Sequence, residues 1–279
     1  MNEILKDIKE QYQYNDWSQK IIFWNIGLFV LSLPFFYEFK LGFFSFPNFI
    51  ALNSNPNQFL FFPWTLLSYA FFHSGLGHLL SNMFFLFFAG KLFFTFFNTK
   101  QFLTTYFLGA FFAGLIYILC MNVLGIENQL VGASAAILAV FFTVVFYSPL
   151  MIVRIPLIGF VKLWYIGAVL LGINLVYFAV ENMGGNVAHL AGVLFAFINV
   201  ESLKRGVDFS KWFDFSNKKK KSTFKKVYKN GSKPTVITKT ESNNDLTQQK
   251  IDDILDKISK SGYESLTKEE KEFLFKINK

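Results

Sequence analysis

The chain has 279 residues, 53% of them hydrophobic and only 16% charged, with 39 phenylalanines and a formal charge of +8. That composition excludes an ordinary soluble domain and points to a polytopic membrane protein, whose fold is expected to be all-α. A single cysteine, Cys120, lies inside an apolar run, so no disulfide framework exists and the thiol reads as packing.

Residues 1–19 carry Asp7, Glu10 and Asp16 among lysines and lack the basic, apolar, small-residue order of a cleaved leader. They are expected to remain as an N-terminal cytoplasmic segment. Crossing a bilayer takes roughly 20 mostly apolar residues. Candidate spans follow at about Ile21–Phe39, His78–Phe97, Phe102–Leu124, Ser134–Leu150, Leu163–Val180 and Ala188–Leu203, a core expected over residues 20–206. The fourth and sixth are the shortest, and each has a polar residue near its start, Ser134 and His189. Irregular backbone at such a start is tolerable only if buried in protein or lining a wet cavity. Lys100, Arg154, Lys162, Lys204, Arg205 and the Lys218–Lys221 cluster fall in alternate connections, whereas the opposite set holds Lys40 alone. The positive-inside rule then makes both termini cytoplasmic and puts His78, Asn82, Ser134 and His189 in the outer part of the membrane.

Polar groups inside membrane spans are costly and mark functional sites by default. All three histidines, His73, His78 and His189, sit where apolar runs begin, and Ser134 lies in Gly132-Ala-Ser134-Ala-Ala. His78 and Asn82, four apart, share a helix face. Small-residue stripes at Gly132, Ala135, Ala136 and Ala139 and at Ala188, Gly192 and Ala196 would let the fourth and sixth spans pack closely, bringing Ser134 and His189 into hydrogen-bond reach. The chemistry implied is nucleophilic: His189 takes the Ser134 proton, Ser134 Oγ attacks a carbonyl, and His189 returns a proton to the leaving amine. Asn82, His78 and the Ser134 backbone N–H would face the developing oxyanion. Each group also has a plainer reading: Ser134 as helix packing, His73 as a loop brace, His78 and Asn82 as partners of each other or of loop carbonyls. A metal site is disfavoured, because His73 and His78 are five apart and no HExxH occurs. Glu127, Glu181 and Asn186 read as solvated loop groups, and Glu201 as too far in depth to join Ser134.

These motifs, in this order, resemble the rhomboid family of intramembrane serine proteases. The resemblance covers about Ile21–Leu203 and rests on His73, His78 and Asn82 before and in the second span, Gly132 and Ser134 opening the fourth, and Ala188, His189 and Gly192 opening the sixth. It implies a six-transmembrane-helix bundle, a Ser134–His189 dyad without an acidic third member, His78 and Asn82 on the oxyanion side, and Trp64 in the loop between the first two spans. It also implies transmembrane proteins as substrates, no cofactor, and residence in a bacterial plasma membrane. The chain departs from the family pattern in three places. Ala135 stands where glycine usually follows the serine, Leu138 where many members carry an aromatic ring supporting the histidine, and Thr65 where arginine usually follows the tryptophan. An inactive relative that binds membrane clients without cutting them is the alternative within this fold. A transporter is the alternative outside it, but that needs paired charged sites near mid-membrane, and none occurs.

Residues 207–249 change character. Lys211–Lys233 is basic with scattered aromatics and is expected to meet anionic lipid rather than nucleic acid, and Pro234–Gln249 reads as a polar linker. Residues 250–279 are expected to form a short accessory hairpin: Ile251, Ile254, Leu255 and Ile258 recur at helical spacing, Gly262 breaks the run, and Thr267 and Glu270 have capping-box spacing before Phe273, Leu274 and Ile277.

Overall fold

A computed structural model of the chain describes residues 10, 12–13, 15–156, 158–180, 183–213 and 243–277. Packing divides the chain into two units, Met1–Lys219 and Lys220–Lys279. Glu181, the Lys218–Lys221 cluster and the greater part of the expected basic segment and linker lie outside the described residues.

The first unit is a helical bundle. Its long helices are α1 (Trp17–Phe36), α4 (Leu76–Phe93), α5 (Thr99–Val123) and α8 (Met183–Lys204); α6 (Ser134–Tyr147) and α7 (Leu163–Val180) complete it, and the short helices α2 (Pro56–Phe61) and α3 (Thr65–Ser68) lie in the connection between α1 and α4. By length and apolar composition, α1, α4, α5 and α8 are able to cross a membrane, while α6 and the apolar stretch Leu163–Tyr177 of α7 are shorter. The protein is therefore an integral membrane protein, mostly helical.

Local sequence sets the helix starts. The Asp16 side chain accepts from the Gln19 N–H to cap α1, and Asn98 and Gln101 form a capping box at α5. Both signals lie in polar residues just outside the apolar runs, which is why α1 and α5 begin earlier than hydropathy alone places them. The largest revision is α8: it starts at Met183 rather than Ala188, and the sixth run is one of the longer helices rather than one of the shortest. Gly184 and Gly185 argue against helix by intrinsic propensity, but here the backbone is held against α5, and a Cβ on Gly184 would lie 2.9 Å from the Tyr117 ring. Asn186, read from sequence as a solvated loop group, is consequently buried within α8. Glu127 is exposed in its connection, as read.

Helix α6 is central. Every residue from Ala135 to Val145 is buried, and α6 packs against α4, α5, α7 and α8. A helix apolar on all sides is one enclosed by protein or lipid, and this one is enclosed by its neighbours. Because lipid tails are as apolar as leucine, helix association here rests on close contact and buried hydrogen bonds. Gly192 of α8 lies directly on α6: a Cβ there would come within 2.3 Å of the Ala135 carbonyl oxygen. Of the expected small-residue stripe on α6, Ala139 turns instead to Gly109 of α5. Asn199 of α8 donates to Thr105 Oγ1 of α5 at 3.2 Å, inside the bundle.

The fold is mostly helical, in keeping with the all-α reading, and its connections carry short paired segments. Among the described residues there are three two-stranded antiparallel ribbons: β1 (Tyr37–Glu38) with β2 (Phe43–Phe44), β3 (Leu52–Asn53) with β4 (Gln129–Leu130), and β5 (Ile152–Ile155) with β6 (Gly159–Lys162). Such pairs satisfy backbone groups where the chain leaves its helices. The β3–β4 pair joins the α1–α4 connection to the segment leading into α6, with Leu52 opposite Leu130. Lys91 lies 3.8 Å from Asp16, Gln101 donates to Asp208 at 3.1 Å, and the Phe97 and Tyr147 rings are 4.9 Å apart. These ties bring the start of α1, the ends of α4, α6 and α8 and the start of α5 to one end of the bundle. Lys91, Lys100, Arg154, Lys162, Lys204 and Arg205 all fall at that end.

In the second unit, α9 (Asn243–Ser261) is ended by Gly262 in the left-handed region, and α10 (Lys268–Ile277) follows. The Thr267 N–H donates to Glu270 Oε2 at 2.7 Å and the Glu270 N–H to Thr267 Oγ1 at 3.3 Å, the reciprocal pair that the Thr267–Glu270 spacing predicts. Lys257 of α9 reaches Glu270 at 2.9 Å, and Ile254 and Leu266 are buried.

Candidate active site

Ser134 is the first residue of α6, and the route into it is tightly held. Leu130 is fixed in β4, and the Gly132 N–H donates to the Tyr69 carbonyl at 2.9 Å. Gly132 has φ +133°, a conformation L side chains rarely adopt. A Cβ at that position would lie 2.7 Å from His78 Cε1, 2.9 Å from His78 Nε2 and 3.8 Å from Ser134 Oγ. The His78 ring therefore rests on bare backbone beside the serine.

His189 lies in the second turn of α8, on the side facing α6. Its Nε2 is 2.5 Å from Ser134 Oγ. Its Nδ1 is 2.7 Å from Oδ1 of Asn174, on α7, and the Asn174 amide donates to the Leu170 carbonyl one turn back at 3.0 Å. Three helices thus meet in a chain of polar contacts, Ser134 to His189 to Asn174. Asn174 is absent from the sequence reading. Its signal was available, as a single polar side chain in the apolar run Leu163–Val180, where intramembrane polarity is itself an indicator of function.

The remaining predicted residues divide. His78 Nδ1 is 3.0 Å from Ser74 Oγ, so the ring is braced from the α4 start while its other edge faces Gly132. Asn82 is buried, and its amide donates to the His78 backbone carbonyl one turn back in α4 at 2.9 Å. His73 is fully buried, meets the His78 ring edge-on at a centroid distance of 5.1 Å, and neither of its ring nitrogens has a hydrogen-bonding partner among the described residues. Gly192 supports the site by letting α8 lie on α6. Trp64 is 53% exposed and donates to the Phe49 carbonyl at 2.8 Å, so its hydrogen bond stays within the α1–α4 connection. Of the three departures, Ala135, Leu138 and Thr65 are all buried, and Thr65 Oγ1 donates to the Phe62 carbonyl at 2.7 Å. No group of three or more His, Cys, Asp or Glu suited to a metal ion occurs among the described residues.

Fold and site together define a helical integral membrane protein whose interior holds a serine–histidine pair at the start of an enclosed helix. Residues 62–202 match the Rhomboid domain, and the chain belongs to the rhomboid family, whose members are in general intramembrane serine proteases. Residues 235–277, in the second unit, match a family of unknown function (DUF6576). No curated protein matches the chain.

Proposed function

We propose that the protein is an intramembrane serine endopeptidase that uses Ser134 as nucleophile and His189 as general base and acid, cutting other membrane proteins in or near their transmembrane segments. The observation that carries this reading is the 2.5 Å contact between Ser134 Oγ and His189 Nε2, a nucleophile and base from separate helices within proton-transfer distance. Attack on a carbonyl moves the hydroxyl proton to Nε2 and the negative charge to the carbonyl oxygen. His189 then gives that proton to the leaving amine, and water repeats the sequence to release the acyl group. The free edge of His78, the second Asn82 amide hydrogen and the Ser134 N–H are the groups we assign to the oxyanion. His73, Gly132, Gly192 and Trp64 are assigned structural roles near the site, and no cofactor enters the mechanism.

In this reading α1, α4, α5, α6, α7 and α8 are six membrane spans forming the 20–206 core. The short α6, about 21 Å long at 1.5 Å per residue for its 14 residues, sets Ser134 below the surface of a hydrocarbon layer of roughly 30 Å. The gathering of basic residues at the opposite end of the bundle supports cytoplasmic termini, and the bacterial plasma membrane is assigned from the family resemblance. Residues 1–19 are the cytoplasmic N-terminal segment, 207–249 the basic, anionic-lipid-facing segment and linker, and 250–279 an accessory hairpin. The test is cleavage of a labelled transmembrane reporter by the purified protein in lipid. Ser134→Ala and His189→Ala are each expected to lower kcat by about 1,000-fold or more, with thermal unfolding little changed. Failure of the unmodified chain to cut any of several reporters, together with failure to react with a serine-directed phosphonate, would overturn the protease reading and favour the client-binding, non-proteolytic alternative.

A further inference from the structure

We propose that Asn174 is a positioning residue that fixes the tautomer and ring orientation of His189, making the contact network three-membered; this rests on the dyad reading for its catalytic consequence, though not for its geometry. An asparagine side chain has one accepting and one donating end. The donating end is committed to the Leu170 carbonyl at 3.0 Å, so the end facing His189 Nδ1 at 2.7 Å is the oxygen. An amide turned the other way would set oxygen against the Leu170 carbonyl and N–H against Nδ1, losing the Leu170 bond. Facing an acceptor, Nδ1 must carry the ring hydrogen, and in neutral imidazole the lone pair is then left on Nε2. Nε2 is the nitrogen that meets Ser134 Oγ, so Ser134 donates and His189 accepts. The opposite tautomer would present an N–H to the serine and a lone pair to the Asn174 oxygen.

The choice of amide over carboxylate also has a physical reason. An aspartate at this place would bring a charge into an apolar run, whereas asparagine supplies the same acceptor while neutral. Asn174 further ties α7 to α8 through the histidine, so a movement of α7 away from α8 would break the alignment of the base.

Two readouts test the role, one independent of activity. In protein labelled with [15N]histidine, the His189 resonances are assigned by their loss in His189→Gln, and at neutral pH they are expected to show a protonated Nδ1 and an unprotonated Nε2. In Asn174→Leu, similar in volume but without an acceptor, that bias is expected to disappear. On the transmembrane reporter, the same variant is expected to lose about tenfold to a hundredfold in kcat, the size of one buried hydrogen bond, at unchanged KM. Asn174→Asp, which keeps an oxygen in place, is expected to recover part of that loss, and it also keeps the test open should Asn174→Leu fail to fold. An unprotonated Nδ1 in the unmodified protein, or a tautomer bias and kcat untouched by Asn174→Leu, overturns the proposal. A chain that cuts nothing and ignores the phosphonate, yet loses its bias in Asn174→Leu, refutes the hydrolase and leaves the positioning role standing.

Discussion

Gly132 is where the smallest change should have the clearest effect. Its φ of +133° is strained for any side chain, and a methyl group would have to displace the His78 ring at 2.7 Å. Gly132→Ala is therefore expected to cost about 1–3 kcal/mol of stability and to move His78 off the Ser74 hydroxyl. Thermal unfolding, together with reporter cleavage, reads both effects; an alanine variant that melts and cuts like the parent would show that the backbone there is not constrained. At this scale the sequence was most legible where polar residues stood alone in apolar surroundings. Ser134 and His189 stood out because each opens an apolar run, and the structure brings those two side chains together. Asn174 stands mid-run, where no glycine or loop signal marks it, and its importance comes from a neighbour fifteen positions away on another helix. The burial of Asn186 was illegible for a different reason: the residues before it look like a loop, and only the packing of α5 makes them helical.

Helices and their caps answer to shorter-range rules, and the second unit offers the cleanest test of one. The Glu270 carboxylate accepts the Thr267 N–H and the Lys257 ammonium, and these partners hold its pKa below the usual glutamate value. A carboxyl with a depressed folded-state pKa stabilises above its unfolded value and loses that contribution as pH falls through the folded one. Amide-exchange protection over residues 268–271, read in the intact chain, is thus expected to be present at neutral pH and to decline in the acid range. Glu270→Gln, an uncharged capping partner, should flatten that decline; protection equally flat in the parent would remove the carboxylate from the account. The capping box here was readable from Thr267 and Glu270 alone, because capping involves residues three apart. The true start of α8 was not, since Gly184 and Gly185 lower helix propensity locally while tertiary contact overrides it.

For the whole molecule, the controlling pattern is the gathering of Lys91, Lys100, Arg154, Lys162, Lys204 and Arg205 at one end of the bundle. With Cys120 replaced, single cysteines at Phe160 and at Glu127 are expected to be labelled by membrane-impermeant reagents from opposite sides, Phe160 from the cytoplasm. Labelling of both from one side would overturn the alternating path of α5, α6 and α7 through the membrane, and reversal of the sides would overturn the orientation. The bundle was foreshadowed by hydropathy, because apolar runs of bilayer length leave few other solutions. The ribbons were not, because strands of two to four residues are too short to leave a clear periodic trace. Helix α6, finally, has a consequence for mutation as well as for chemistry. Pressed by α4, α5, α7 and α8 at once, its side chains each answer to several partners, so substitutions there must be compensated in more than one place. A volume change anywhere in Ala135–Val145 would thus be felt on several helices at once, so a tolerated replacement there is expected to need a matching change on a neighbouring helix.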